Sequence, residues 1–241
     1  MKLTDKDIVL FSGDSITDGN RGKSMDCNHI MGHGYQYIVA GRLALDNAKN
    51  MPKFINKGYS GENAIDLLAK WKEDVLNNKP TVLSILVGVN EGGYGYFNGL
   101  TPEEAKDRYE TNLRSILELT RKELGDIKII LCEPFYCPLD PTDYSYRFAP
   151  HPDGVERPFE RPDSHDPEDS VTYRMAVNEK IRAVAPKIAE DYGCVFVPLY
   201  DRLYEEAAKS KIEYLVWDGT HPSIAGHMLI AEEWLKAYNN L

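Results

Sequence analysis

The chain has 241 residues, a length that fits one domain with a single well-buried core. Its 38 acidic residues outnumber its 28 lysines and arginines, which argues against nucleic acid, anionic membrane surfaces and polyanionic substrates as partners. This charge balance favours a neutral small-molecule substrate.

Two further features bear on the cell compartment. The four cysteines, Cys27, Cys132, Cys137 and Cys194, show no regular framework, so nothing demands an oxidising compartment. The N-terminus carries acidic residues where a signal peptide would have an apolar stretch, and no run approaches the ~18 apolar residues of a membrane span. We therefore expect a cytoplasmic protein without a membrane segment.

Apolar, strand-like runs alternate with segments of helical spacing along the whole chain. The predicted strands are 8–11, 53–56, 82–87, 127–132 and 194–198. The predicted helices are 34–46, 63–77, 101–123, 171–192 and 223–238. Such alternation implies βαβ units and a parallel sheet with helices on both faces, within one α/β domain over residues 1–241.

A proline-rich segment interrupts this pattern. Residues 134–167 hold eight of the fourteen prolines, and because proline breaks both helices and strands, we predict a loop excursion at about 134–170. Loops of this length in a compact domain are usually functional or mobile. The segment is either a substrate-binding lid, a subunit-contact arm or a plain surface excursion. The residues that a lid would use are Tyr144, Tyr146, Arg147, Arg157 and Arg161.

A candidate nucleophile follows the first predicted strand. The sequence at 13–18 is GDSITD, and it places Ser15 just past the strand's carboxyl end, where an open α/β sheet carries its chemistry. The alternative is structural, because Asp14 or Ser15 could simply cap a helix. The sequence at 13–18 alone does not distinguish a catalytic serine from a helix cap, so the choice depends on whether a base and oxyanion donors occur elsewhere in the chain.

A candidate base and its orienting acid lie together near the end of the chain. Serine becomes a nucleophile only when a base takes its proton, and the base needs an acceptor to orient it. Asp218 precedes His221 by three residues, so one turn can direct the carboxylate onto one ring nitrogen and leave the other for Ser15. The alternative is a structural histidine bonded to a loop carbonyl. His227 is a competing base, but its setting resembles ordinary helix packing.

Acyl transfer also requires hydrogen-bond donors for the developing oxyanion. Three candidates lie at or just after predicted strand ends: the backbone N–H groups of Ser15 and Gly58, and the side-chain amide of Asn90. Each of them, taken singly, is also typical of a tight turn. Their joint occurrence at one edge of the sheet favours a catalytic role.

Four sequence blocks in order resemble the SGNH, or GDSL-type, hydrolase family over nearly the whole chain. They are GDS at 13–15, the glycine at 58, GVNE at 88–91 and DGTHP at 218–222. Glu91 stands where the family more often has Asp, which puts in doubt any local contact of that Asp.

The resemblance implies a three-layer α/β/α sandwich, flavodoxin-like, with a parallel five-stranded sheet of order 2-1-3-4-5. It also implies a triad of Ser15, Asp218 and His221, with Ser15, Gly58 and Asn90 as oxyanion donors.

A closer likeness concerns the substrate. The segments GYQYIV at 34–39, WKEDV at 71–75 and WDGTHPSIAGH at 217–227 resemble the cytoplasmic acetyl-xylooligosaccharide esterases of the family. The likeness implies an acetylated sugar or oligosaccharide as substrate, an acetyl-serine intermediate and a homo-oligomer. The 134–167 segment looks longer than in those enzymes.

Three residues beside the catalytic positions are candidates for substrate binding. Tyr59 and Trp217 could stack on a sugar ring, although core packing is an alternative fate for Trp217. Asp14, next to the predicted nucleophile, is the third candidate.

The chemistry requires no metal and no organic cofactor. The alternative is a zinc site built from Cys27, His29 and His33. Zinc sites generally have three or four protein ligands at recognisable spacing, and a fourth ligand is not evident here.

Two other functions compete with a carbohydrate acetylesterase. A lipolytic esterase or thioesterase acting on short acyl esters would need a broad apolar acyl pocket. A non-catalytic sugar-binding protein on the same fold would have no use for a full set of nucleophile, base, acid and oxyanion donors.

Overall fold

The computed structural model describes residues 2–22, 24, 26, 29–139 and 168–240. Its strands are β1 Ile8–Gly13, β2 Lys53–Gly58, β3 Val82–Leu86, β4 Lys128–Cys132 and β5 Val195–Val197. Its helices are α1 Ser15–Asp18, α2 Tyr35–Asp46, α3 Ala64–Asp74, α4 Val89–Phe97, α5 Pro102–Leu124, α6 Glu168–Asp191, α7 Tyr200–Ala207 and α8 Ile224–Asn239. Short 3₁₀ turns cover Leu76–Asn78 and Ile212–Tyr214.

The five strands form one parallel sheet in the order β2-β1-β3-β4-β5. This confirms the predicted strand order and the α/β class. Strands that run parallel need crossover connections, and the helices between them supply these connections.

The sheet is buried on both faces, so the fold has three layers. In β1, Val9 and Phe11 pack into one apolar cluster with α2 and α8, whereas Leu10 packs into the other with α3, α5 and α6. All three of these side chains are fully buried. A strand with consecutive apolar residues is therefore expected, since alternate side chains point to opposite covered faces.

One tryptophan anchors a helix on each side of the sheet. Trp234 of α8 donates its Nε1–H to Ser84 Oγ of β3 at 3.0 Å, and Trp71 of α3 donates to Thr120 Oγ1 of α5 at 2.8 Å. Both indole rings are almost fully buried, so each needs a polar partner for its N–H. These bonds fix the outer helices relative to the sheet and to one another.

The carboxyl ends of the first three strands meet at one edge of the sheet. Gly13 at the end of β1 pairs in register with Gly58 of β2 and with Leu86 of β3. The segments that follow these residues carry Ser15 and Asn90, so the register brings the two to the same edge.

The structure contains three helices beyond the five that the sequence predicts: the four-residue α1, α4 and α7. Helix α4 has the sequence VNEGGYGYF, and its glycines are poor helix formers. They are needed for close packing on α6, because a Cβ at Gly95 would lie 2.3 Å from Tyr173 Oη and one at Gly92 would lie 3.1 Å from Arg174 Cγ. Helix α7 is short, and its N-terminus is capped from another element, by the Glu133 carboxylate.

The proline-rich segment is only partly described. Helix α6 begins at Glu168, so residues 168–170, which were predicted as the end of the loop, are helical. Residues 140–167 lie outside the described residues, and the five predicted lid residues lie there too. No helix among the described residues is long and apolar enough to cross a membrane.

Candidate active site

The first turn of the site follows strand β1. Gly13 ends the strand, and a Cβ at this position would lie 2.2 Å from the Leu86 carbonyl oxygen, so only glycine fits. Ser15 opens helix α1, and backbone N–H groups in the first turn of a helix lack intrahelical acceptors. Ser15 therefore presents both a hydroxyl and an amide at the carboxyl edge of the sheet.

Asp14 caps this short helix. Its Oδ1 accepts the N–H of Ile16 at 3.0 Å, and the residue is only 1% exposed. Burial raises the pKa of the carboxyl to about 7. The prediction that Asp14 binds substrate is wrong, because its carboxylate is buried and directed at the backbone of its own helix.

The structure brings together the serine, the histidine and the aspartate. Ser15 Oγ lies 2.8 Å from His221 Nε2, and His221 Nδ1 lies 2.6 Å from Asp218 Oδ2. The other carboxylate oxygen, Asp218 Oδ1, accepts the backbone N–H groups of Thr220 at 2.9 Å and of His221 at 2.6 Å. The three side chains form one hydrogen-bonded chain with the geometry that a serine nucleophile, its base and an orienting acid require.

The turn that carries the aspartate and the histidine is held at both ends. An antiparallel bridge between Val216 and Pro222 closes it. Gly219, at the tip, has a φ of +87° and accepts the N–H of Cys137 at 2.8 Å. The positive φ favours glycine, and the bond to Cys137 ties the turn to the segment that follows β4.

Electrostatics stabilise a charged pair in this turn. Burial tends to raise the pKa of Asp218, but hydrogen bonds from the His221 ring and from two backbone amides outweigh it, so the pKa is lowered. The pKa of His221 is raised, chiefly by its hydrogen bond to Asp218 and against the effect of burial. The site therefore favours an imidazolium next to an ionised carboxylate, the state formed when histidine takes a proton from serine.

His227 is not placed to serve as the base. Its Nδ1 accepts the backbone N–H of Tyr35 at 3.1 Å, and burial lowers its pKa to about 4. The ring is therefore neutral at physiological pH and joins α8 to α2.

Asn90 lies at the start of helix α4. Its Nδ2 donates to the Glu62 carbonyl oxygen at 2.8 Å, in the loop after β2. A carboxamide nitrogen carries two hydrogens, so one remains for another acceptor. The turn before it requires Gly88, whose φ is +139° and whose Cβ would lie 2.9 Å from the Tyr109 ring and from the Pro134 side chain.

Gly58 is not a free amide donor. Its N–H donates to Asn56 Oδ1 at 2.8 Å, and its carbonyl oxygen accepts Nε and Nη2 of Arg21 at 2.9 and 2.7 Å. The prediction of an oxyanion donor at this position is therefore wrong. Glycine is needed here for packing instead, because a Cβ would lie 2.3 Å from the backbone nitrogen of Asp18.

Gly61, which the sequence analysis did not select, is the glycine beside Asn90. It directly precedes Glu62, the residue whose carbonyl binds the Asn90 side chain. Its φ is +84°, and a Cβ there would meet no atom of the described residues within 4 Å. The second glycine of GYSG at 58–61 was the only sequence signal for it, and nothing in the pattern alone favoured it over Gly58.

Tyr59 is held by its neighbours and does not present a free ring. The guanidinium of Arg21 lies 4.6 Å and the ammonium of Lys70 lies 4.0 Å from the ring centroid. The Tyr59 hydroxyl donates to Asp74 Oδ1 at 3.1 Å. These contacts contradict the prediction that Tyr59 stacks on a sugar, since two cations already occupy the space over its ring.

Trp217 borders a cavity next to the candidate base. Its ring lies 6.0 Å from the His221 ring at an interplanar angle of 25°, and the residue is half-buried. It lines a cavity of about 490 Å³, and the other lining residues are His33, Gly34, Tyr37, Ile38, Pro222, Ile224 and His227. The volume lies within the range of ligand pockets in proteins, about 300–1,000 Å³.

The zinc hypothesis finds no support among the described residues. Cys27 lies outside them, and His29 Nδ1 lies 2.8 Å from Asp26 Oδ2. No group of three or more His, Cys, Asp or Glu side chains in the described part of the chain could hold a metal ion.

The chain is similar to known proteins over almost its whole length. Residues 11–229 match the GDSL-like Lipase/Acylhydrolase family. The chain is 31% identical over 240 residues to an acetylxylan esterase of Geobacillus stearothermophilus, covering 98% of this chain and 95% of that protein.

The chain is also similar to solved structures over almost its whole length. A GDSL-like protein from Parabacteroides merdae superposes with a TM-score of 0.77 at 31% identity, covering 98% of this chain and 97% of that one. Axe2, the acetylxylan esterase of G. stearothermophilus, superposes with a TM-score of 0.72 at 30% identity, covering 98% and 96%. The chain thus belongs to the GDSL-like lipase/acylhydrolase family and is a carboxylic ester hydrolase.

Proposed function

We propose that this protein is a serine esterase that removes O-acetyl groups from acetylated xylo-oligosaccharides. The observation that carries the proposal is the hydrogen-bonded chain from Ser15 Oγ through His221 to Asp218. Axe2 is an acetyl-xylooligosaccharide esterase, and catalytic mutants of that enzyme replace a serine, an aspartate and a histidine.

Acylation begins when Ser15 Oγ attacks the ester carbonyl carbon and His221 Nε2 takes the hydroxyl proton. Asp218 holds the other ring nitrogen in its protonated form and stabilises the imidazolium. As the tetrahedral intermediate collapses, His221 returns the proton to the departing sugar oxygen and an acetyl-Ser15 ester remains. Water then attacks this ester with the same histidine as base, releasing acetate and restoring Ser15.

Three donors serve the oxyanion in this mechanism. They are the backbone N–H of Ser15 at the start of α1, the second Nδ2 hydrogen of Asn90 and the backbone N–H of Gly61. Donors that are fixed before the reaction stabilise the developing charge without reorganising. Gly61 replaces Gly58 in this role because the Gly58 amide is already bonded to Asn56.

The sugar side of the substrate is assigned to the cavity beside Trp217. Its walls combine the aromatic rings of Trp217 and Tyr37 with mainly apolar atoms, which suits the apolar face of a pyranose ring. The formal net charge of −10 favours a neutral substrate of this kind.

The same apolar walls favour a second candidate, a lipolytic esterase or thioesterase whose acyl chain lies against Ile38 and Ile224. A non-catalytic sugar-binding protein is set aside, because the chain belongs to a family of hydrolases.

The homo-oligomeric state and the cytoplasmic location stay predictions, to be tested by light scattering and by cell fractionation.

One experiment separates the two enzyme functions. Steady-state rates of the purified protein are measured on acetylated xylo-oligosaccharides and on p-nitrophenyl esters of two, four and eight carbons, with Ser15→Ala as the inactive control. We expect the largest kcat/KM on the acetylated oligosaccharides and a steep fall beyond the acetyl ester. Rates that rise with acyl length would favour the lipolytic alternative, and activity that persists in Ser15→Ala would overturn the proposed nucleophile.

A further inference from the structure

A buried carboxylate follows the proposed oxyanion donor Asn90 directly. Glu91 is 0% exposed; its Oε1 accepts the N–H of Ala64 at 2.9 Å, and its Oε2 is paired with Arg108. Removing a carboxylate from water is costly, and here an arginine and a helix N-terminus offset part of that cost. Burial still raises the pKa of the Glu91 carboxyl above its ordinary value. The proposed chemistry does not itself use this side chain.

The ion pair joins three helices at one point. Arg108 belongs to α5, and besides Glu91 it binds Asn63 Oδ1 through Nη2 at 3.1 Å. Asn63 is the N-cap of α3, and Ala64 is that helix's first residue. The guanidinium also lies 3.9 Å from the ring centroid of Tyr94 in α4. Glu91 therefore connects the beginning of α4 to the beginning of α3.

Two consecutive residues of α4 thus bind the chain on both sides of Asn63, one in the loop before α3 and one at the first residue of α3. The Asn90 side chain donates to the Glu62 carbonyl at 2.8 Å, and the Glu91 side chain accepts from Ala64 at 2.9 Å. Gly61 directly precedes Glu62. The two attachments together fix the separation between the Asn90 carboxamide and the Gly61 amide.

We propose that Glu91 is a positioning residue that sets the geometry of the oxyanion donors Asn90 and Gly61 through its contacts with Ala64 and Arg108. The inference rests on the proposed esterase function. The donors bind the transition state more strongly than the ground state, so displacing them lowers kcat and leaves KM nearly unchanged.

Glu91→Gln is the main test. Glutamine keeps the shape and retains an oxygen for the Ala64 N–H, but it leaves the Arg108 charge without its partner in a buried setting. With p-nitrophenyl acetate as substrate, we expect kcat to fall about 10²-fold, the size of loss that a small misplacement of catalytic groups produces. We expect KM to stay within about threefold of the wild-type value.

A double variant separates positioning from a general loss of structure. If Glu91 acts through the donors, adding Glu91→Gln to Asn90→Ala lowers kcat by much less than the same change does in the wild type. Multiplicative losses in the double variant would overturn the proposal.

Glu133 provides a matched control. It is also a buried carboxylate, its Oε2 accepts the N–H groups of Leu199 and Tyr200 at 2.8 and 2.9 Å, and its Oε1 lies 3.1 Å from Arg182 Nε. Both Glu133→Gln and Glu91→Gln should lower the midpoint temperature of thermal unfolding. Only Glu133→Gln should keep the wild-type kcat. Equal losses of kcat in both variants would reduce Glu91 to a general stabilising residue and overturn the proposal.

Arg108→Lys covers the case in which Glu91→Gln does not fold. Lysine keeps a positive charge beside Glu91, but its single ammonium nitrogen cannot replace the two guanidinium nitrogens that bind Glu91 and Asn63. The folded variant is therefore expected to lose kcat as well. A folded Glu91→Gln or Arg108→Lys with wild-type kcat would overturn the positioning role alone. A wild-type protein without esterase activity would overturn the proposed function and this inference with it.

Discussion

Asp218 binds His221, three residues further along the chain, with both of its carboxylate oxygens. Oδ1 accepts the backbone N–H and Oδ2 lies against the ring Nδ1, each at 2.6 Å. One side chain therefore sets both the backbone of the turn and the tautomer of the imidazole. The ring nitrogen that faces Ser15 is left as the acceptor that a general base must offer.

Replacing Asp218 by Asn should separate these two roles. The amide oxygen can keep the backbone bonds, but the amide nitrogen cannot accept the Nδ1 proton, so the ring is held in the wrong tautomer. We expect kcat to fall by ~10⁴-fold with a fold close to that of the wild type. Steady-state kinetics and circular dichroism check this, with Asp201→Asn on the exposed side of α7 as control. A loss below about tenfold would contradict the orienting role.

The pH dependence of kcat/KM should report the raised pKa of His221. The base must be neutral to accept a proton, so activity is lost as pH falls through its pKa in the free enzyme. The hydrogen bond to Asp218 raises that pKa above its ordinary value of 6.5. The acid limb should therefore lie above pH 6.5 in the wild type and move to lower pH in Asp218→Asn. An acid limb that is unmoved by the substitution would mean that another group controls it.

Much of this site could be predicted from the sequence, because Ser15 and Asn90 closely follow strand ends and Asp218 and His221 lie within one short turn. The parallel sheet forces the ends of β1, β2 and β3 to one edge, so Ser15 and Asn90 had to lie near each other. The spacing of Asp218 and His221 fits one turn. These relationships depend on topology and local geometry, and both are visible in the sequence pattern.

The wrong or missing predictions concern Gly58, Tyr59 and helix α4. In each case the outcome depends on a contact with another residue that the sequence pattern does not indicate. The position of Gly58 after a strand predicts an amide donor, but its N–H is bound to Asn56 Oδ1. The position of Tyr59 predicts a ring open to substrate, but Arg21 and Lys70 lie beside that ring. Helix α4 was missed because its glycines have low helix propensity, which packing against α6 overrides. Arg21, Lys70 and helix α6 are distant in sequence from the residues they contact, so no local pattern indicates them. Asn56 is only two residues from Gly58, but the sequence does not show that its side chain turns back onto that amide.

Gly58 at the end of β2 and Gly61 in the loop that follows should respond differently to substitution by alanine. Gly58→Ala puts a Cβ 2.3 Å from the Asp18 nitrogen and should lower the thermal midpoint strongly. A Cβ at Gly61 would meet no atom within 4 Å in the part of the chain that the structure describes, so Gly61→Ala adds the cost of a left-handed backbone, roughly 1–2 kcal/mol. If Gly61 supplies an oxyanion donor, its variant stays folded and loses kcat as its backbone shifts. A folded Gly61→Ala with full kcat would argue against the donor assignment.

Trp217→Ala tests the sugar side of the cavity. Removing an aromatic platform worth about 1 kcal/mol should raise KM for acetylated xylo-oligosaccharides roughly fivefold. The KM for vinyl acetate, which has no ring to stack, should change little. Phe97→Ala, at an exposed aromatic residue of α4, is the control. Equal changes with both substrates would place Trp217 in packing around His221 instead of in sugar binding.

The buried Asp14 makes stability depend on pH in a defined direction. Its folded pKa of about 7 lies above the ordinary value of 3.8, so the folded state holds a proton that the unfolded state releases. Stability is therefore lost as pH rises from about 4 to about 7, and the loss levels off above the folded pKa. The free energy of unfolding that the protein loses over this pH range is on the order of 4 kcal/mol.

Asp14→Asn removes this ionisation and keeps an oxygen for the Ile16 N–H. The variant should gain stability relative to the wild type as pH rises from about 4 to about 7, and the difference should then become constant. Urea unfolding at a series of pH values measures it. Asp126→Asn, at an exposed position in the turn before β4, should show no such trend. A difference between Asp14→Asn and wild type that is flat across this range would mean that Asp14 ionises at its ordinary pKa in the folded protein.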